Sequence, residues 1–367
     1  MITRIDISIN NAYINSLLIT YYSQYPPPKS PTMKLHHTIL LLILLITPLT
    51  LNVHGASSTC NPQDKKTLLK IKTHFGPNAL TLSNWDPKTD CCLWQSVGCF
   101  NDQAPGRVSV LQFDDTGISG DIPVEIGDLP YLDTLAFQAL NLTGSIPVSI
   151  TKLTRLQELD ISTTSLKGPI PSFLGQIKSL LKLQLSSNPF SGSIPSSLGY
   201  LPNLYTLVLD GNKLSGPIPE SFGSFKTPLV LLDLSNNMLS GTIPKSLGKL
   251  NISTLDLSNN KLTGDALFLF GKNKPLQQIS LRQNQFKFDF SKVVRPLELA
   301  SLDIAFNQVY GSIPREFGQF HGWTLFNVSY NQLCGKVPKG GRLKQFSVYG
   351  MAHNKCLCDA PGLPTCK

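Results

Sequence analysis

Four aspartates share one local setting, each between two aliphatic residues: Leu159-Asp160-Ile161, Leu232-Asp233-Leu234, Leu255-Asp256-Leu257 and Leu302-Asp303-Ile304. Their intervals are 73, 23 and 47 residues, close to whole multiples of 24. Carboxylates placed so regularly suit two kinds of chemistry. Paired across an enclosed cleft, they act as the acid and base of glycoside hydrolysis. Spread over an open surface, they attract cationic groups of a partner and speed its association. Strands disfavour Asp, so its recurrence asks for a reason. The sequence has no nucleophile elbow, phosphate loop, HExxH or kinase motif. Histidines are few, six in all, and His74, His321 and His353 fall in caps or connections. The reading is a non-enzyme with no cofactor and no metal.

The carriers of these aspartates are repeats. The template is LxxLxLxxNxLxGxIPxxLGxL, and LDLSNNMLSG (from Leu232) and LDLSNNKLTG (from Leu255) are near-copies of its first half. Its glycine recurs at Gly120, Gly144, Gly168, Gly192, Gly216, Gly241, Gly264, Gly311 and Gly335. The one long step hides a degenerate repeat, LQQISLRQNQFKFDF (276–290), with Phe288 in the glycine's place. Such a period with LxxLxL predicts an α/β repeat fold, a right-handed leucine-rich-repeat solenoid of ten ~24-residue repeats. The alternation predicts strands with leucines inward and the other residues on a concave sheet. The Asn at Asn188, Asn212, Asn237, Asn260, Asn284, Asn307 and Asn331 is expected to bond backbone groups of neighbouring coils as a ladder. Repeats one to three carry Thr116, Leu140 and Thr164 there, so the ladder is expected to be incomplete at that end.

A solenoid needs both ends closed. The segment 60–76 is expected to form an N-terminal cap helix with Leu68, Leu69 and Ile71 towards the first coil. The expected organisation is an extension and signal peptide (1–57), an N-terminal cap (58–106), ten repeats (107–339) and a C-terminal cap (340–367). The eight cysteines are Cys60, Cys91, Cys92, Cys99, Cys334, Cys356, Cys358 and Cys366. They permit 105 pairings on sequence alone. Adjacent cysteines seldom bridge each other, and four lie at each end. The expected pairs are Cys60–Cys91, Cys92–Cys99, Cys334–Cys356 and Cys358–Cys366. Met33-Lys34, the apolar run Ile39–Ile46 and the small residues near 55–58 read as a secretion signal, with Met33 an alternative start. That run is shorter than the ~20 residues of a membrane span. The mature chain is expected to be secreted, monomeric and without a membrane span. A net charge of +9 favours anionic partners in general and selects none; no nucleic-acid partner is expected.

The combination resembles the plant polygalacturonase-inhibiting proteins. Four features carry the likeness: CNPQDKKTLLKIK, the CC-W-GC cap, NVSYNQLCGKVPKGGRLKQF (327–346) and HNKCLCDAPGLPTCK. It covers about residues 58–367 and implies a secreted inhibitor of fungal endopolygalacturonase in the cell wall or apoplast. Such an inhibitor limits pectin degradation in plant defence. The implied recognition positions are Tyr205, Asp210, Leu231, Asp256, Gln277 and Thr324, while a further aspartate position of the family holds Gln184 here. The repeat pattern itself adds Asp160, Asp233 and Asp303, flanked by Asp114, Asp115, Asp133 and Glu158. The concave face therefore reads as acidic on a basic chain. The basic column that binds pectin in some relatives reads Asn236, Asn259, Gln283 and Phe306 here, so pectin is expected to bind weakly at most, through Lys336, Lys339, Arg342 and Lys344. Sequons stand at Asn141, Asn251 and Asn327. A different reading is a soluble recognition module, like a receptor ectodomain, for a peptide or oligosaccharide. An ice-binding role lacks a uniform residue column.

Overall fold

In the computed structural model the described residues are 59–76, 79–100, 103–114 and 117–366. The signal and extension (1–57) lie outside them, as do Asp115 and Thr116. Ten parallel strands run in chain order along the concave side, from Val110–Asp114 to Leu325–Asn327. Every repeat supplies one strand, including the degenerate one, through Gln278–Ser280. A short strand, Val97–Gly98, pairs antiparallel with the first of them and covers its edge.

The leucine pattern explains this register. Leu207, Leu232, Leu255 and Ile279 are paired in succession and fully buried. Each coil is too thin to bury its own apolar face, so stability comes from stacking on the next. At the template glycines φ lies in the left-handed region, as at Gly216 (78°) and Gly120 (110°), where a Cβ would be strained. A lateral sheet of six short strands, Gly168–Pro169 to Gln285–Phe286, runs alongside this bend, three of its strands (Phe190–Gly192, Lys213–Gly216 and Lys261–Gly264) ending at the glycine. It stops at the degenerate repeat, where buried Phe288 replaces the glycine. On the convex side, Pro123, Pro147, Pro171, Pro195, Pro219 and Pro244 each precede a 3-10 turn.

The asparagine ladder forms as expected. Asn237 Nδ2 donates to the carbonyls of Leu209, Leu234 and Ser235, and its Oδ1 accepts from Leu214 N–H. At the N-terminal side Thr164 joins the ladder, since its hydroxyl and N–H both donate to Asn188 Oδ1. The ladder also runs one rung beyond the repeats. Asn354, in the C-terminal cap, donates to the carbonyls of Val328, Met351 and Ala352 and accepts from Leu333 N–H.

Helix α1, Pro62–Phe75, closes the first coil, started by Asn61 whose side chain accepts from the N–H groups of Gln63 and Asp64. Leu68 and Ile71 are buried, while Leu69 is only partly covered. Asp64 is buried beside them and accepts from Arg107 Nε (2.8 Å), Arg107 Nη2 (2.7 Å) and Val108 N–H (3.0 Å). All four expected disulfides are present, two at each end. Among the described residues, no helix is long and apolar enough to cross a membrane.

Candidate functional site

The residues between the paired strand leucines make one unbroken column across the concave sheet. In order it reads Gln112, Ala136, Asp160, Gln184, Val208, Asp233, Asp256, Ser280, Asp303 and Asn327, each in register with the next. A common position does not give a common environment. Asp160 is 2% exposed and Asp303 8%. Asp160 accepts from Gln138 Nε2 (2.5 Å), Gln184 Nε2 (3.0 Å) and the Ser162 hydroxyl. Asp303 accepts from Ala305 N–H (2.9 Å) and Asn327 Nδ2 (3.0 Å), with Arg282 at 3.8 Å. Amides one coil away fold over these two carboxylates, Gln138 and Gln184 over Asp160 and Asn327 over Asp303. They act as rivets between coils, with little surface left for a partner.

Asp233 and Asp256 are half-exposed, and both bend back onto their own strand ends. Asp233 Oδ1 accepts from Ser235 N–H at 2.9 Å, and Asp256 Oδ1 from Ser258 N–H at 2.8 Å. This local bond gives the aspartates a structural reason to sit in a strand, since it ends the strand and starts the inward turn. The Asp233 carboxyl is pushed up to about 6. Burial is the largest cause, opposed by the Ser235 hydrogen bonds and reinforced by the charges of Asp256 and Asp210. Burial likewise raises Asp303 above the usual carboxylate range, against the bonds from Ala305 and Asn327.

Five sequence-expected positions fall close together on repeats five to seven: Tyr205, Asp210, Leu231, Asp233 and Asp256. Thr206 pairs with Leu231, and Val208 with Asp233. Tyr205 is 38% exposed, and Val230, beside Leu231, is 55% exposed. Val230 extends the apolar margin of the acidic patch and is missing from the sequence-based set. Its signal was an apolar residue at an outward strand position. Gln277 and Thr324 are exposed but lie one and three coils beyond Asp256. Gln277 Nε2 donates to Glu298, and the Thr324 hydroxyl donates to Ala300 O. An open face of this kind does not enclose a substrate between two carboxylates, as hydrolysis needs.

The basic C-terminal cluster is partly neutralised by the 2.6 Å Lys336–Asp359 ion pair, while Lys339 and Arg342 are exposed. The Lys344 side chain lies outside the description. Asn141 and Asn251 are exposed. Asn327 is tied at both side-chain atoms, donating to Asp303 and accepting from Ser329 N–H and hydroxyl.

Solenoid, caps and open face together define a plant-type leucine-rich-repeat interaction scaffold. The model "Leucine rich repeat N-terminal domain" matches residues 61–100, and "Leucine Rich Repeat" matches 179–201, 203–225, 228–250 and 251–273. Among solved structures, a plant ice-binding protein is 41% identical with a TM-score of 0.80, covering 84% of this chain and 99% of that one. The ectodomain of the Arabidopsis thaliana receptor kinase GASSHO1/SCHENGEN3 is 33% identical with a TM-score of 0.61, over 71% of this chain and 34% of that one. "Polygalacturonase inhibitor 2" of Arabidopsis thaliana is 53% identical over 89% of this chain and 99% of the relative. "Polygalacturonase inhibitor" of Pyrus communis is 50% identical over 91% and 100%. The chain belongs to the polygalacturonase inhibitor family, whose members are named as inhibitors and not as enzymes.

Proposed function

We propose that this protein is a secreted inhibitor that holds a fungal endopolygalacturonase on its concave face and limits pectin degradation in plant defence. The observation that carries this reading is the patch made by Asp210, Asp233 and Asp256 beside Tyr205, Val230 and Leu231. Carboxylates there attract basic groups around a partner's substrate cleft and raise the rate of encounter. The neighbouring aromatic and aliphatic side chains supply the desolvated contact that slows release. The site of action is the apoplast or cell wall, and the active form is a monomer. Pectin binding is weak, because the edge column carries Asn236, Asn259, Gln283 and Phe306 in place of cations, and Lys336 is already paired.

The test is inhibition of a broad panel of purified fungal endopolygalacturonases by the purified mature protein. Loss of activity with at least one enzyme is expected. No binding and no inhibition across the panel would remove the reading. A second reading, a soluble recognition module for a peptide or oligosaccharide, is favoured by the likeness to a receptor ectodomain at 33% identity. Capture of a receptor kinase from wall membranes, with no pectinase bound, would select it.

A further inference from the structure

Phe306, Tyr330 and His353 precede the ladder asparagines of repeat nine, repeat ten and the C-terminal cap, and their rings form one continuous stack. Phe306 and Tyr330 are 4.1 Å apart and 11° from parallel. Tyr330 and His353 are 4.2 Å apart at 21°. The Arg282 guanidinium covers the other face of Phe306 at 4.6 Å. In the preceding coils the same edge column holds Ser187, Gly211, Asn236, Asn259 and Gln283, and every member has a left-handed φ. Small residues, Gly and Asn suit that conformation; Phe306 (56°) and Tyr330 (52°) do not. The backbone therefore does not ask for rings here, yet 38% of Phe306 and 44% of Tyr330 face solvent.

The stacking decides what the ridge can recognise. Sugars dock on aromatic faces, and the faces of Phe306 and Tyr330 are filled on both sides. What remains are ring edges, the positive end of the aromatic quadrupole, which meet carbonyls, carboxylates and the faces of other rings. Those groups belong to a protein surface, and tyrosine and arginine are enriched where such contacts carry binding energy. The ridge is also continuous with the acidic face. Arg282 reaches Asp303 of the central column at 3.8 Å, and Asp210 directly precedes Gly211 of the edge column.

We propose that the Phe306–Tyr330–His353 ridge, headed by Arg282, is a second contact line for the protein held on the concave face, its ring edges meeting carbonyl, carboxylate or aromatic groups of that partner. This rests on the pectinase reading above. The test is Phe306→Asn with Tyr330→Asn, residues the same column already accepts at Asn236 and Asn259. Dissociation rates are measured against every enzyme the wild type holds, alongside thermal melting and titration with oligogalacturonate alone. For at least one enzyme, release about tenfold faster or more is expected, with melting unchanged. Tyr330→Phe, which keeps the ring, should retain most of the wild-type lifetime. Unchanged release in the double variant overturns the ridge, and a melting loss without faster release assigns the stack to fastening the cap. Loss of oligogalacturonate binding with enzyme release unchanged also overturns it, in favour of a sugar site. If Asp256→Asn weakens binding while the ridge variant does not, the ridge fails and the pectinase reading stands. If the wild type holds no enzyme, both fall.

Discussion

Asp233 and Asp256 stand opposite each other on adjacent parallel strands, and each accepts the N–H of the serine two residues on. Their decapeptides are near-identical, yet Asp233 sits between two further carboxylates in space, with Asp210 on one side and Asp256 on the other contributing to its raised pKa. The scaffold repeats while the electrostatic setting does not. Raised to about 6 from 3.8, Asp233 binds its proton more tightly folded than unfolded. Its stabilising contribution is therefore complete below about pH 4 and is lost as pH rises through 6. Two units would amount to about 3 kcal/mol in full, and partial exposure screens this to roughly 1 kcal/mol. Urea unfolding of wild type and Asp233→Asn between pH 4 and 7 checks this. The wild-type minus variant stability should fall across that window, and a flat difference would refute it.

Asp210→Asn and Asp256→Asn keep shape and remove charge. Each is expected to raise the inhibition constant about tenfold, mainly through slower association that converges with wild type at high salt. Asp160→Asn should behave differently, because its carboxylate faces three donors on neighbouring side chains. A stability loss of about 1–3 kcal/mol is expected there, with inhibition of the folded fraction unchanged. Association kinetics at two salt concentrations separate the cases. Equal loss of inhibition in all three variants would show that the carboxylates do not divide this way.

The period made the coils and the ladder legible, because stacking gives each template position one backbone role, and the grouping of four cysteines at each end made their pairing legible. It did not show which outward side chains stay open. Asp160 and Asp256 share a column, but Gln138 and Gln184 reach over the first. Such cover depends on side-chain length one coil away, which a one-dimensional pattern does not weigh. The aromatic ridge was missed for a related reason, since its residues sit in an ordinary x position until the left-handed turn aligns them. Asn354 was legible in principle, 23 residues after Asn331, but its surroundings no longer match the template.

Replacing Asn237 by Ala takes the acceptor from the buried Leu214 N–H, while the carbonyls of Leu209, Leu234 and Ser235 each keep one other donor, Asn212 Nδ2, Asn260 Nδ2 and the Gly211 N–H. A buried donor left unsatisfied costs more than a single hydrogen bond contributes, so about 1–3 kcal/mol is expected. Equilibrium unfolding in urea measures it. A loss below about 1 kcal/mol would mean that water replaces the rung without penalty.

Glycans are expected at Asn141 and Asn251 and absent, or nearly so, at Asn327. Attachment at Asn327 Nδ2 would replace one of its two hydrogens and set a sugar against Asp303, which lies 3.0 Å away and whose raised pKa already reflects burial. Peptide mass spectrometry of protein secreted from plant cells gives the occupancy of each sequon. Full occupancy at Asn327 would show that glycosylation precedes closure of the tenth coil.

Asp64→Ala tests how the N-terminal cap is fastened. The carboxylate is 1% exposed and holds both Arg107 and the Val108 N–H at the entry to the first coil. Tyr131 lies over the same guanidinium at 4.1 Å. Removing the acid leaves a poorly solvated cation with no counter-charge, which costs about 3–5 kcal/mol. Exchanging both partners, Asp64→Leu with Arg107→Met, removes the stranded charge and should recover part of that loss, the remainder being the Val108 N–H left without its acceptor. With Trp323 of the tenth coil replaced by Phe in both proteins, Trp85 and Trp94, stacked at 5.4 Å within the cap, report its unfolding by fluorescence. Because each coil contacts only its neighbours, the cap should then melt ahead of the repeats, separating the tryptophan signal from far-ultraviolet circular dichroism. Coincident transitions in Asp64→Ala would mean that helix α1 is held mainly by Leu68, Ile71 and the Cys60–Cys91 bridge.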